Sequence, residues 1–192
     1  MKDSALIGFI GFGNMAKAIA SGVLKSPLSA RCRLAAYDPV KEQINLEGVE
    51  ALGSAAAVAG AADYLFICVK PQQIDEAFAS FADFLKEGQV LVSIAAGVSS
   101  ERLSRLSGGK ALIVRVMPDT PMLVGCGASA TSRPEGISNE DYEAVLEVLR
   151  CAGEVYEIAP DKFDEVIPLA GSGVALFFRL AALAEEYALR AG

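Results

Sequence analysis

The glycine-rich segment near the start of the chain has residue types and a spacing that could bind phosphate. It reads Gly11-Phe12-Gly13-Asn14-Met15-Ala16, a G-x-G-x-x-A pattern. The first glycine permits a tight turn, the second lets a pyrophosphate approach the backbone, and the small third residue lets helix and strand pack closely. The start of the helix would offer free N–H groups and a positive dipole to phosphate oxygens. Because an apolar run precedes the segment and helix formers follow it, we expect these six residues to bind a dinucleotide; a plain tight turn is the alternative.

Asp38 follows the second apolar run, where an acidic side chain can bond the adenosine ribose hydroxyls. A carboxylate there would repel a 2′-phosphate, which favours NADH. Three nearby cations, Arg31, Arg33 and Lys41, could still accommodate a phosphate. In the alternative interpretation, Asp38 only starts a turn with Pro39. The predicted cofactor is therefore NADPH or NADH, with the choice left open.

The elements that would position these residues alternate between strand and helix from residue 5 to about residue 158. Strands are predicted at 5–10, 33–37, 64–69, 89–94, 111–117, 125–132 and 155–158. Helices are predicted at 14–25, 71–86, 100–106, 139–150, 161–169 and 174–190, and a further small Ala-rich helix is predicted to follow an N-cap at Ser54. This alternation predicts an α/β fold, a Rossmann-like, doubly wound, mostly parallel sheet. We expect a dinucleotide-binding domain over residues 1–159 and the start of an all-helical dimerisation domain over residues 160–192.

Composition narrows the possible functions. The chain has 192 residues, a net charge of −7 and 53% hydrophobic residues, which excludes a disordered chain and argues against a nucleic-acid-binding protein. It has no histidine, so histidine-based catalytic triads and histidine-ligated metal sites are excluded. The four cysteines form no C-x-x-C pair, so we predict no metal site, reduced thiols and a cytoplasmic location.

The apolar C-terminal region predicts an interface between subunits. Its most apolar stretch, residues 166–183, is interrupted by Gly171, Gly173 and Arg179, so we expect no membrane span. The helix from Val174 to Arg190 is apolar nearly all round and must be buried on several sides. Either a second copy covers it, giving a homodimer, or residues that normally follow it are missing.

Five segments, in this order and at these spacings, carry a family resemblance. They are GFIGFGNMAKAI, FICVKP, LVSIAAGV, VRVMPDTPMLVGCGAS and LAGSGVALFF. The chain resembles the pyrroline-5-carboxylate reductase family over essentially its whole length. The resemblance implies NAD(P)H-dependent reduction of 1-pyrroline-5-carboxylate to L-proline, with hydride passing from the nicotinamide C4 to the C5 of the cyclic imine.

The resemblance also implies where the cofactor would lie. The glycine segment would hold the pyrophosphate, Val69, Lys70 and Pro71 would border the ribose, and Ala95, Ala96 and Gly97 would line the nicotinamide beside Met117 and Pro118. Each group has a simpler interpretation. Lys70 could be a solvated strand-end charge, residues 95–97 a strand end breaking into a turn, and Met117 ordinary core.

The sequence departs from the family pattern in three places. Asp119 replaces the asparagine of the usual M-P-N-T-P, and Val174 and Leu176 replace a proline and a tyrosine after the G-S-G. Family members also carry a further helical region with a Ser/Gly/Thr-rich loop that binds the substrate, and this sequence ends before it. No catalytic residue is therefore assigned. Two alternatives stay open: a dinucleotide-binding protein without its own substrate site, acting through a partner, or another imine or deazaflavin-linked reductase.

Overall fold

The architecture is a single eight-stranded sheet with helices on both faces, seen in a computed structural model that describes residues 4–191. The strands are β1 Ala5–Ile10, β2 Cys32–Tyr37, β3 Val49–Ala51, β4 Tyr64–Ile67, β5 Gln89–Ser93, β6 Ala111–Met117, β7 Gly127–Ser132 and β8 Gly153–Glu157. The helices are α1 Asn14–Lys25, α2 Ala55–Ala61, α3 Ile74–Phe81, α4 Ser100–Leu106, α5 Asn139–Arg150, α6 Phe163–Ile167 and α7 Val174–Ala191. The predicted Rossmann-like, mostly parallel α/β fold is confirmed.

The order of the strands creates the crevice in which such sheets bind ligands. The order is β3-β2-β1-β4-β5-β6-β7-β8, and the six strands β1 to β6 are all parallel. The winding direction reverses between β1 and β4, and ligands bind outside the carboxyl ends of the strands at such a point. Strand β7 runs antiparallel to β6, and β8 is parallel to β7. The carboxyl ends of β1 to β6 therefore lie along one edge.

Two apolar layers hold the sheet between its helices. All six residues of β1 are buried; Ile7 and Phe9 face the helices on one side, whereas Ile10 faces those on the other. The rings of Phe9 and Phe66 lie 5.3 Å apart across the β1–β4 pair. Burial of each such side chain stabilises the fold by about 1.5–3 kcal/mol. The strands are apolar on both faces because helices cover both.

Local differences from the predicted elements have physical causes. The short edge strand β3 was not predicted, because three residues between turns give no readable alternation. Strand β4 ends at Ile67 rather than residue 69, and residues 71–86 form a 3₁₀ turn, α3 and a second 3₁₀ turn instead of one helix. Helix α2 does begin after Ser54, whose side chain accepts the N–H of Ala57 at 3.1 Å, as predicted.

The C-terminal region starts on the sheet and ends in an exposed helix. A π-helical turn, Pro168–Gly173, joins α6 to α7 where a gap between two helices was predicted. No residue of α7 is buried, and Phe177 and Tyr187 are 74% and 76% exposed. By length and composition alone, Phe163–Ala191 could also cross a membrane, a test that core helices of soluble proteins pass as well, so the absence of a span stays a prediction.

The predicted domain boundary between residues 159 and 160 falls in the loop between β8 and α6. It stays a prediction. Residues 1–3 and 192 of the two predicted domain ranges lie outside the described residues.

Candidate functional site

The two glycines of the turn between β1 and α1 have different roles: the fold requires Gly11, whereas Gly13 leaves space beside the backbone. Gly11 has a φ of +83°, and a Cβ there would lie 2.8 Å from Val69 Cγ1 and 2.9 Å from the Cys68 carbonyl carbon. Gly13 caps α1 without a side-chain hydrogen bond, and a Cβ on it would meet no atom within 4 Å. The backbone at Gly13 and the first-turn N–H groups of α1 are thus open to an anionic ligand.

The other residues of the glycine segment fall into two groups: some anchor the turn in the core, and others lie at the surface. Phe12 is fully buried and packs edge-on against Phe9, so its side chain anchors the turn in the core. Ala16 is also fully buried, which lets α1 lie close to the sheet. Asn14 is exposed and Met15 half-buried on the first turn of α1. Any contribution of Phe12 to binding would be through the position of the loop.

The Asp38 carboxylate joins the end of β2 to the glycine turn. Its Oδ2 accepts the N–H of Phe12 at 2.7 Å, and its Oδ1 accepts the N–H of Val40 at 2.9 Å. The second bond closes the turn at Pro39 that was the alternative interpretation. Because the carboxylate is half-buried at the carboxyl edge, its remaining lone pairs can also accept hydrogen bonds there. The predicted ribose contact stays a prediction.

The segment after β4 forms the other wall of the crevice. Val69 lies against Gly11, Lys70 is exposed with its N–H donated to Gln73 Oε1 at 3.3 Å, and Pro71 begins the 3₁₀ turn. Desolvation raises the pKa of the half-buried Cys68 thiol, so this sulfur stays protonated and weakly reactive in the wall of the site.

The residues predicted to line the nicotinamide lie at the ends of β5 and β6. Ala95 is buried, Ala96 half-buried, and Gly97 is exposed with a φ of +73°, so this strand end does break into a turn. Met117 and Pro118 are both buried. Ala96 and Met117 belong to one apolar cluster, so the fold brings together two groups that are about twenty residues apart in sequence.

Asp119 has a clear structural partner at this end of the site. Its Oδ1 accepts the N–H of Ala128 at 2.9 Å and ties the end of β6 to the start of β7. An asparagine could make the same bond through its own Oδ1. The departure from the family pattern therefore keeps the hydrogen bond and adds a negative charge.

One buried cation beside the site was not predicted. Arg115, two residues before Met117 on β6, is 7% exposed; it bonds Asp164 and lies over the ring of Phe163. The signal in the sequence was a lone charge in the apolar run ALIVRVM, which demands a partner. Gly171 packs against Met117 as well, since a Cβ on Gly171 would lie 3.0 Å from Met117 Cε.

Taken together, the predicted residues follow the carboxyl ends of five neighbouring strands, β2, β1, β4, β5 and β6. The open backbone at Gly13, the uncapped start of α1 and the crevice between β1 and β4 fit a dinucleotide with its pyrophosphate at the helix N-terminus. Among residues 4–191, no three histidine, cysteine or acidic residues cluster in a way that could hold a metal ion.

Comparison with known proteins identifies relatives of this chain. A family profile described as "NADP oxidoreductase coenzyme F420-dependent" matches residues 6–97. The chain is 35% identical over 176 residues to a pyrroline-5-carboxylate reductase of Escherichia coli, covering 90% of this chain and 65% of that one. It is 34% identical over 188 residues to a pyrroline-5-carboxylate reductase of Arabidopsis thaliana, covering 95% and 68%.

A solved structure shows the same fold. It is the pyrroline carboxylate reductase of Plasmodium falciparum, crystallised with NADP bound, which is 24% identical to this chain and superimposes on it with a TM-score of 0.89. The superposition covers 100% of this chain and 72% of the Plasmodium chain. This chain therefore spans about two thirds of the length of the relatives it matches.

Proposed function

Because the chain belongs to the pyrroline-5-carboxylate reductase family, we propose that it serves the NAD(P)H-dependent reduction of 1-pyrroline-5-carboxylate to L-proline. One observation carries the proposal. The residues that the family resemblance assigns to the cofactor line one edge of the sheet, from Asp38 through the glycine turn to Met117. Binding along that edge would place the pyrophosphate at Gly13.

The chain's own residues would bind and orient the cofactor. The first-turn N–H groups of α1 would donate to pyrophosphate oxygens, and the Asp38 carboxylate would accept from the adenosine ribose while it holds the Phe12 N–H. Lys70, exposed beyond β4, would lie on the ribose side of the crevice. Both cofactors stay possible, since the Asp38 carboxylate disfavours a 2′-phosphate whereas Lys41, three residues further on, is exposed. Arg33 does not contribute here, because it lies at the amino end of β2, paired in register with Leu6.

At the nicotinamide end of the site, the main tasks of the protein would be to orient the reacting rings and to exclude water. When bound, the dihydronicotinamide supplies a hydride to the C5 of the imine. Ala96 and Met117, packed in one apolar cluster with Phe163, would present a dry wall to the reacting ring. A protonated imine is a strong hydride acceptor, so positioning does much of the work.

We also propose a homodimer built on α7. The support is the exposure of its large apolar side chains, including Leu176 at 73% and Phe177 at 74%. An apolar surface of this extent is a typical site of protein association. A cytoplasmic location is supported by the four cysteines, all of which are free thiols.

A second candidate function is dinucleotide binding without turnover, through a partner that completes the substrate site. The observation that favours it is the carboxylate of Asp119 at the end of β6, which would repel the substrate carboxylate if the two lay close together. The family profile does not decide between the two, because its match stops at residue 97.

The deciding experiment supplies 1-pyrroline-5-carboxylate to the purified chain with NADH or NADPH. It measures oxidation of the cofactor and formation of proline. Turnover in proportion to proline would support the reductase. Tight cofactor binding with no proline would overturn it for this chain and favour the binding protein.

A further inference from the structure

Arg115 is a charged side chain in the middle of an otherwise apolar strand. It lies on β6, opposite Ser93 of β5 and Ser132 of β7 in the sheet register, and is only 7% exposed. Strand side chains alternate between faces, so Arg115 and Met117 lie on the same face of the sheet. A buried cation is costly unless it is paired, so its partners must be held in place.

Both partners come from the start of α6. The guanidinium Nη2 donates to Asp164 Oδ1 at 2.5 Å, and the carbon at its centre lies 4.3 Å from the centroid of the Phe163 ring. Phe163 is 3% exposed, whereas the Asp164 side chain is 70% exposed. Arg115 therefore binds α6 through a buried stacked ring and an ion pair that faces solvent.

The end of α6 and the turn that follows it cover the neighbouring end of the site. Val166, Ile167 and Ala170 pack in the cluster that contains Ala96 and Met117. Gly171 approaches so closely that a Cβ on it would lie 3.0 Å from Met117 Cε. The position of α6 thus determines what lies over Ala96 and Met117.

We propose that Arg115 is a positioning residue. By holding Phe163 and Asp164, it would fix the π-helical turn against Met117 and so shape the nicotinamide end of the cofactor site. This inference rests on the proposed function, because it requires the nicotinamide to lie beside Met117. Arg115 itself touches neither the cofactor edge nor the glycine turn among the contacts that the described residues make.

The test compares two ligands that differ only at the nicotinamide end. The whole reduced dinucleotide and the matching fragment that lacks nicotinamide, ADP-ribose or its 2′-phosphate, are titrated into wild type, Arg115→Met and Arg115→Lys. Arg115→Met is expected to weaken the whole dinucleotide about tenfold and the fragment less than about twofold. Arg115→Lys keeps the charge but loses the flat stack on Phe163, so an intermediate loss is expected.

The control is Arg102→Met, which removes an exposed arginine from the Arg102–Asp75 pair between α3 and α4. It should change neither affinity. Equal losses for both ligands in Arg115→Met, or no loss for either, would overturn the role of Arg115. Wild-type protein that binds neither ligand would instead contradict the proposed function.

A second readout needs no cofactor. Hydrogen exchange of the amides from Phe163 to Gly173 is expected to speed up about tenfold in Arg115→Lys and Asp164→Ala, with β1 and β4 unchanged. These two variants also decide the matter if Arg115→Met does not fold. Unchanged exchange over this segment would overturn the proposal.

Discussion

The Asp38 carboxylate accepts the N–H of Phe12 across 2.7 Å and thereby ties the end of β2 to the glycine turn after β1. The same carboxylate accepts the N–H of Val40 at 2.9 Å. One side chain thus closes a turn and fixes a loop at the place where an adenosine ribose would lie. Its negative charge is available to discriminate between cofactors, because the group is half-buried at the edge of the sheet.

Asp38→Asn should change cofactor preference. Removal of the charge should raise the affinity for NADPH relative to NADH about fivefold, corresponding to about 1 kcal/mol of lost repulsion of the 2′-phosphate. Titration of both cofactors measures the ratio. Asp63→Asn is the matched control. The Asp63 carboxylate also accepts a backbone N–H, that of Leu6 at 2.8 Å, but it does so at the amino end of β1, away from the cofactor edge. An unchanged ratio in Asp38→Asn would contradict this role.

Gly11→Ala should destabilise the fold. The residue has a φ of +83°, and the new Cβ would lie 2.8 Å from Val69 Cγ1, so about 1–3 kcal/mol of the unfolding free energy should be lost. Chemical denaturation measures it. Gly53→Ala is the control, since a Cβ there meets no atom within 4 Å. Equal stability of Gly11→Ala and wild type would show that this turn is not constrained.

Phe177→Glu should dissociate the proposed homodimer. Phe177 is 74% exposed on α7, and a charge at an apolar interface should weaken the dimer at least about tenfold. Analytical ultracentrifugation at micromolar concentration measures the mass, with Glu185→Gln on the same helix as control. A wild-type particle of 20.0 kDa would contradict the dimer before any variant is made.

Cysteine alkylation should distinguish the exposed Cys126 from Cys68 in the crevice wall after β4. Cys126 is exposed, whereas burial raises the pKa of the Cys68 thiol, so Cys68 stays protonated and shielded. Iodoacetamide at about pH 8 should therefore modify Cys126 far faster than Cys68 in the folded protein, as mass spectrometry of the peptides can show. Similar rates at the two sulfurs would mean that the crevice wall after β4 is open.

Sequence patterns predicted the parts of the site that are local. The glycine turn, the start of α1 at Asn14 and the strand ends at Ile10 and Met117 follow from short-range periodicity and punctuation, and the structure has them at the predicted residues. Edge strand β3 was too short to recognise, and the π-helical turn at residues 168–173 depends on packing against the sheet.

Contacts between distant residues could not be predicted in the same way. Arg115 and Asp164 are 49 residues apart, and a lone charge in the apolar run ALIVRVM does not indicate which residue pairs with it. The close approach of Gly171 to Met117 likewise depends on how α6 packs on the sheet. The bond of Asp38 to Val40 forms the turn with Pro39 that was one of the two interpretations, and the bond to Phe12 was not predicted at all. The ribose contact stays a prediction.

If the open backbone at Gly13 holds the cofactor's pyrophosphate, Gly13→Ala should abolish cofactor binding and leave the stability of the fold unchanged. The new methyl group meets no protein atom within 4 Å, so thermal unfolding should match that of wild type. It would occupy the space that the pyrophosphate needs, so calorimetric titration should show wild type binding NADH or NADPH and the variant binding neither. Equal affinity of Gly13→Ala and wild type would show that the pyrophosphate does not lie at Gly13.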